Sequence, residues 1–269
     1  MRFNFLPNFC EIIIAVVLIL ACIFTPGCNS NDNSISGGDE KIETDNDSKE
    51  MDSFRVVKFL DSAMNPTHDI TVKDTIAFDY FGKIDAGLNN SIREWMPDKI
   101  ETDALISENI DKFIEVSMAQ PEAENKLYGW FTVRLTKPTD EFDIPRWHRD
   151  GNFFGATHKI AATIYGPGTL LISEREALEI VTDPKYMNVH PFGPEGLIMR
   201  AEIASRMSKF DPVQLQPGEM VVFRVGNRNN SAVHSEPLMD TDRIFVSVLP
   251  GTEEQIRQLA ADRKGKFNE

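Results

Sequence analysis

Two histidines and one aspartate are the residues of this chain best suited to hold a metal ion. The segment Pro145-Arg146-Trp147-His148-Arg149-Asp150-Gly151 carries a His-x-Asp pair, and His234 stands far downstream in Val233-His234-Ser235-Glu236-Pro237. On an extended strand, residues two apart share a face, so His148 and Asp150 can reach one ion while Trp147 and Arg149 face away. Two imidazoles and one carboxylate on one side of a metal leave its remaining positions open, and open positions permit dioxygen chemistry. The plainer reading is a polar strand end in which His148 and Asp150 hydrogen-bond to each other. His158 follows close behind the pair and is a substitute ligand, whereas His68 and His190 read as loop or surface residues.

Arg243 lies nine residues after His234, at the start of a strand where it shares a face with Phe245 and Ser247, opposite Ile244, Val246 and Val248. An inward arginine beside such a metal suits bidentate capture of a carboxylate. The alternative is a salt bridge to Asp240 or Asp242. Upstream, Ala161, Thr163 and Tyr165 share a face opposite Ile160, Ala162 and Ile164, so Thr163 and Tyr165 are expected to line the same pocket. Gly166-Pro167-Gly168 reads as a backbone turn, because no helix start with a phosphate-binding lysine follows.

Positioning these residues needs a β scaffold. Short apolar runs separated by Gly, Pro and Asn turns predict strands at Lys159–Ile164, Thr169–Ile172, Met220–Val225, around Val233 and His234, and at Arg243–Leu249. Earlier strands are expected at Phe54–Leu60 and Leu127–Leu135. Helical patterns at Ala104–Met118, Glu174–Thr182, Gly196–Lys209 and Glu253–Arg263 make peripheral additions, and Trp95 and Trp130 are core candidates. The fold class that follows is mainly β with peripheral helices, an antiparallel sandwich or barrel.

The order of these blocks resembles the Fe(II)- and 2-oxoglutarate-dependent oxygenases: His-x-Asp, a distal His, and an Arg about ten residues later. It also looks like a bacterial family of unknown function in which His148-Arg149-Asp150, Tyr165-Gly166-Pro167-Gly168-Thr169 and His234-Ser235-x-Pro237 with Arg243 occur in the same order. The resemblance covers about residues 145 to 250 and implies a double-stranded β-helix, a cupin-like jelly-roll barrel. It further implies Fe(II) held by His148, Asp150 and His234, and 2-oxoglutarate gripped by Arg243 with Thr163 and Tyr165 nearby. This chain has Phe245 where those oxygenases usually place Ser or Thr. The substrate expected is a small molecule or a peptide; the other reading is a non-catalytic cupin-like ligand-binding or structural protein.

The first residues speak of location. An apolar run, Ile12 to Phe24, is about thirteen residues long, short for a membrane-spanning helix but suited to a signal-peptide core. It ends in Thr25-Pro26-Gly27-Cys28, and the segment resembles a bacterial lipoprotein signal. Cys28 and Cys22, within Ile19-Leu20-Ala21-Cys22, compete as the lipidated residue, and Cys28 opens directly into a polar tether. The expected organisation is a signal segment over residues 1–28, a tether over 29–52 and one barrel domain over 53–269, anchored at the cell envelope outside the cytoplasm. All 3 cysteines, Cys10, Cys22 and Cys28, lie in the leader, which excludes disulfide or thiolate chemistry from the domain. A net charge of -14 without a basic stripe excludes a nucleic-acid partner.

Overall fold

Strands with one continuous apolar face must bury it, and the second half of this chain contains several. The computed structural model describes residues 52–61, 70–100, 104–139, 143–186, 189–191, 193–226 and 229–268. The leader, both lipidation candidates, residues 29–51 of the expected tether and His68 lie outside the described residues. The strands are β1 (Phe54–Lys58), β2 (Ile76–Lys83), β3 (Tyr128–Thr136), β4 (His158–Tyr165), β5 (Leu170–Ile172), β6 (Val213–Gln214), β7 (Glu219–Arg224), β8 (Val233–Ser235), β9 (Arg243–Gly251) and β10 (Phe267–Asn268). The helices are α1 (Ala86–Trp95), α2 (Ala104–Met118), α3 (Arg175–Val181), α4 (Pro194–Met207) and α5 (Glu253–Asp262).

The strands form two sheets. A long sheet runs in the order β1-β7-β4-β9-β3-β2-β10, and a short one in the order β6-β5-β8. An isolated antiparallel bridge between His148 and His234 extends the short sheet beyond β8. From His148 onward the chain alternates between them: β4 in the long sheet, β5 and β6 in the short, then β7 in the long, β8 in the short and β9 in the long. Antiparallel pairing of β4 with both β7 and β9, and of β5 with both β6 and β8, winds this stretch into a double-stranded β-helix.

Side-chain parity divides the long sheet. Its outer face, with Val133, Leu135, Ile160, Ala162, Met220, Val222, Ile244 and Val246, packs under Leu88 and Ile92 of α1 and Ile106, Ile110 and Phe113 of α2. The inner face carries Trp130, Ala161, Val221, Phe223 and Leu249, meets Leu171 of the short sheet, and is closed at one end by Ile256, Leu259 and Ala260 of α5. Beyond the short sheet, Trp147, Ile172 and Val233 pack against α3 and α4. Helix α5 begins with a capping box: Thr252 accepts from the Gln255 N–H while the Gln255 side chain accepts from the Thr252 N–H.

Two expectations are corrected. No strand runs through the His-x-Asp segment; His148 makes only the single bridge to His234, and Asp150 lies in the following loop. The parity assumed for Thr163 and Tyr165 also fails. A bulge shifts the register between them, pairing Thr163 with Phe245 but Tyr165 with Ile244, and an extra residue reverses the facing of everything beyond it. Strand β2 and helix α1 were not anticipated. Asp85 caps α1 by accepting from the Gly87 N–H at 2.9 Å.

Candidate metal centre

His148 and His234 are brought together by their own backbones. The His148 N–H donates to the His234 carbonyl at 3.0 Å and the His234 N–H returns the bond at 2.9 Å. This directly opposed pair sets the rings 4.3 Å apart, centroid to centroid. Each ring then uses Nδ1 locally: His148 Nδ1 lies 2.7 Å from the Arg146 carbonyl and His234 Nδ1 lies 3.4 Å from the Ala232 carbonyl. A carbonyl only accepts, so the proton sits on Nδ1 and Nε2 keeps a lone pair.

Both Nε2 atoms face Asp150. Oδ1 is 3.9 Å from His148 Nε2 and 3.8 Å from His234 Nε2, too far for a hydrogen bond. The plain reading of a His148–Asp150 hydrogen bond is therefore excluded. One ligand atom from each of the three residues lies within 4.8 Å of the others. Three acceptor atoms converging with no proton between them fit a divalent cation, and an Nδ1–H to a carbonyl is the usual support for a ligating imidazole.

The electrostatics agree with neutral rings and an ionised carboxylate. Burial, then the neighbouring His234 and Arg146, pulls His148 down to about 3. Burial likewise lowers His234, with Asp150 opposing. For Asp150, burial alone raises the pKa, but Lys159 and the two imidazoles hold it far below the ordinary carboxylate range. Lys159 Nζ donates to Asp150 Oδ2 at 3.0 Å, and each side chain is 13% exposed. This lysine was missed by sequence reasoning; its only signal is its parity with Ala161 and Thr163. Arg146 pairs with Glu236 at 2.6 Å beside His148, and despite its burial Glu236 is held well down by Arg146 and His148.

Arg243 is 4% exposed on the inner face. Its Nε donates to the Pro167 carbonyl at 2.9 Å, and its Nη2 donates to Thr169 Oγ1 at 2.8 Å and Thr163 Oγ1 at 3.2 Å. Its guanidinium stacks 4.9 Å above Phe245. Gly166 permits this approach, because a Cβ there would meet the Asp242 carbonyl at 2.3 Å and φ is +84°. The alternative salt bridge is absent among the described residues: Asp242 Oδ2 accepts instead from the Val72 N–H at 2.6 Å. Burial lowers Arg243 to about 10, so it stays charged at neutral pH. Thr163 therefore touches Arg243 as its expected pocket role requires, but Tyr165 does not. Its hydroxyl accepts from the Ile70 N–H at 3.2 Å, and its ring packs with the outer cluster. Thr169, missed because it sits beside a turn, supplies the second hydroxyl.

His158 opens β4 on the face opposite Lys159 and contacts Thr157 Oγ1 at 3.0 Å, so it does not join the triad. His190 is exposed. Trp130 is buried, its Nε1 donating to Asp79 at 2.7 Å, and Trp95 packs partly buried against the outer cluster.

No protein-family model matches the chain, and no curated protein matches it. Among solved structures it is similar to a prolyl-4-hydroxylase from Pseudomonas putida, at 13% identity over 74% of this chain and 92% of that one, with a TM-score of 0.34. It is also similar to a rice dioxygenase for auxin oxidation, at 12% identity over 77% and 76%, TM-score 0.37. A prolyl hydroxylase from Trichoplax adhaerens, solved with a peptide fragment of hypoxia inducible factor, matches at 10% identity over 77% and 86%, TM-score 0.33. These likenesses are distant, and the double-stranded β-helix rests on the strand order of the chain itself.

Proposed function

We propose that this chain is a ferrous-ion-dependent oxygenase that uses 2-oxoglutarate to oxidise a small-molecule or peptide substrate. The observation that carries the reading is the convergence of His148 Nε2, His234 Nε2 and Asp150 Oδ1, all lone-pair donors, inside a double-stranded β-helix. Those three residues would hold the metal, and when bound such an ion supplies dioxygen activation at its open positions. Arg243, buried and cationic with no carboxylate paired to it among the described residues, is the group that would grip the distal carboxylate of the oxoacid. Thr163 and Thr169 orient its guanidinium, a task the usual Ser or Thr at position 245 would otherwise share. Phe245 instead stacks against the planar face of the guanidinium.

The domain belongs, on this reading, to an envelope lipoprotein anchored through Cys28 or Cys22. The support is the apolar run ending in Thr25-Pro26-Gly27-Cys28 and the polar stretch after it. Among the described residues no helix is long and apolar enough to cross a membrane.

A second reading, a ligand-binding module without catalysis, is favoured by one observation: Asp150 already holds Lys159, so part of its charge is balanced without a metal. Anaerobic Fe(II) titration separates the two. The wild-type protein is expected to bind one equivalent that His148→Ala and His234→Ala lose; iron content no higher than in those variants overturns the metal assignment. Substrate-free turnover of 2-oxoglutarate, abolished in Arg243→Ala, is the corresponding result for the oxoacid.

A further inference from the structure

Lys159 is a largely covered cation, its side chain 13% exposed, in contact with the candidate centre, and neither the triad nor the oxoacid site uses it. Strand β4 directs it to the inner face, where it pairs across the sheet with Phe223. Its ammonium stands 5.7 Å from the Trp130 ring and 6.0 Å from the Phe223 ring. Aromatic rings flank the ammonium on two sides, and Asp150 Oδ2 at 3.0 Å accepts from it. The carboxylate is thereby divided. One oxygen belongs to Lys159, and the other faces the two imidazoles at 3.8 and 3.9 Å.

We infer that Lys159 is a positioning residue that serves as the resident counter-cation of Asp150, holding Oδ2 so that only Oδ1 is offered to a divalent ion. The inference rests on the metal-binding reading above. Two consequences follow from charge alone. Before metal arrives, the ammonium neutralises a carboxylate that would otherwise be buried without a partner, so the site keeps its shape. Once an ion is bound, the same ammonium repels it across a single carboxylate, which weakens affinity and keeps the second carboxylate oxygen from occupying an open position.

The test compares full-length wild type with Lys159→Met and Lys159→Arg, and reads Mn(II) affinity by titration and melting temperature with and without Mn(II). Methionine keeps the apolar stem against Trp130 and Phe223 while removing the charge. Lys159→Met is expected to bind Mn(II) at least about tenfold more tightly, to melt lower than wild type without metal, and to gain more on adding Mn(II). Lys159→Arg is expected to stay within about threefold of wild type, since a guanidinium preserves the charge. Affinity in Lys159→Met equal to or below wild type overturns the inference while leaving the triad intact. If metal-free Lys159→Met does not fold, refolding that succeeds with Mn(II) present supports the inference, and refolding that fails in both conditions overturns it. Wild type that binds no more Mn(II) than His148→Ala removes the metal reading itself, and this inference with it.

Discussion

The two faces of the long sheet are made by the same strands and do different work. On β9 the outward residues Ile244, Val246 and Val248 are all but fully buried under the helices, while the inward residues are Arg243, Phe245 and Ser247. On β4 the contrast repeats, with Ile160 and Ala162 outside against Lys159, Ala161 and Thr163 inside. The outer face is almost wholly apolar, its few hydroxyls, such as those of Tyr80 and Tyr165, each hydrogen-bonded to backbone, and it can contribute nearly its full burial to stability. The inner face spends part of its burial on charged groups that must find partners, and those groups are the chemistry. A fold of this kind separates strength from function by one-residue parity.

The largest test is on the outer face. Phe113 of α2 is fully buried and packs edge-on against Phe59, with ring centroids 5.8 Å apart. Phe113→Ala is expected to cost about 3–5 kcal/mol, read as a drop in the denaturation midpoint. Mn(II) affinity of the remaining folded protein should be unchanged, and a parallel loss of affinity would break the separation of the two faces. At the metal centre, which the inner face holds through Lys159, Asp150→Ala should give the reverse balance. It strands the Lys159 ammonium, which costs about 2–3 kcal/mol, and it removes metal binding outright. Titration and chemical denaturation of the same preparation check both halves.

Acid should attack the metal centre first. His148 is held at about 3 against an ordinary 6.5, so the unfolded chain takes up a proton that the folded chain refuses. The stability supplied by the neutral ring is complete above pH 6.5 and is lost as pH falls toward 3, with a limiting slope of about 1.4 kcal/mol per pH unit from this one residue. The lowered Asp150 and Glu236 act in the same direction at still lower pH. Across pH 7 to pH 4 wild type is expected to lose stability relative to His148→Leu as the pH drops, whichever is the more stable at pH 7; a stability difference that stays constant contradicts the assignment of a neutral ring.

How much of this was legible in the sequence depended on whether alternation or long-range pairing set each feature. The facing of Arg243, Phe245 and Ser247 could be read because Ile244, Val246 and Val248 form an unbroken apolar row. The triad could be named from residue types, yet the reason given for it was incomplete: a bridge to His234 and a lysine tether, not strand parity, bring His148 and Asp150 together. Lys159 was invisible because a lysine opening a strand looks solvent-exposed until its partner is known. The bulge after Thr163 was invisible because alternation carries no mark of an inserted residue. The Arg146–Glu236 pair spans 90 positions and leaves no local trace.

That bulge supplies the smallest and sharpest test, because it sets two residues of one strand on opposite faces. Tyr165→Phe removes only the hydroxyl that accepts from the Ile70 N–H, so it should cost about 0.5–1.5 kcal/mol and leave oxoacid binding untouched. Thr163→Val deletes one of the two hydroxyls that orient Arg243 while keeping the shape of the side chain. Its expected effect on stability is of the same small size, but it should weaken 2-oxoglutarate binding about three- to tenfold, because one hydrogen bond to a charged group is lost at the point of capture. Equilibrium binding of 2-oxoglutarate to the Mn(II)-loaded variants reads the difference. Equal weakening in both would place Tyr165 back on the inner face and remove the bulge as the divider; weakening in Thr163→Val alone assigns the parity of the sheet, rather than proximity in sequence, as what decides which hydroxyl serves the site.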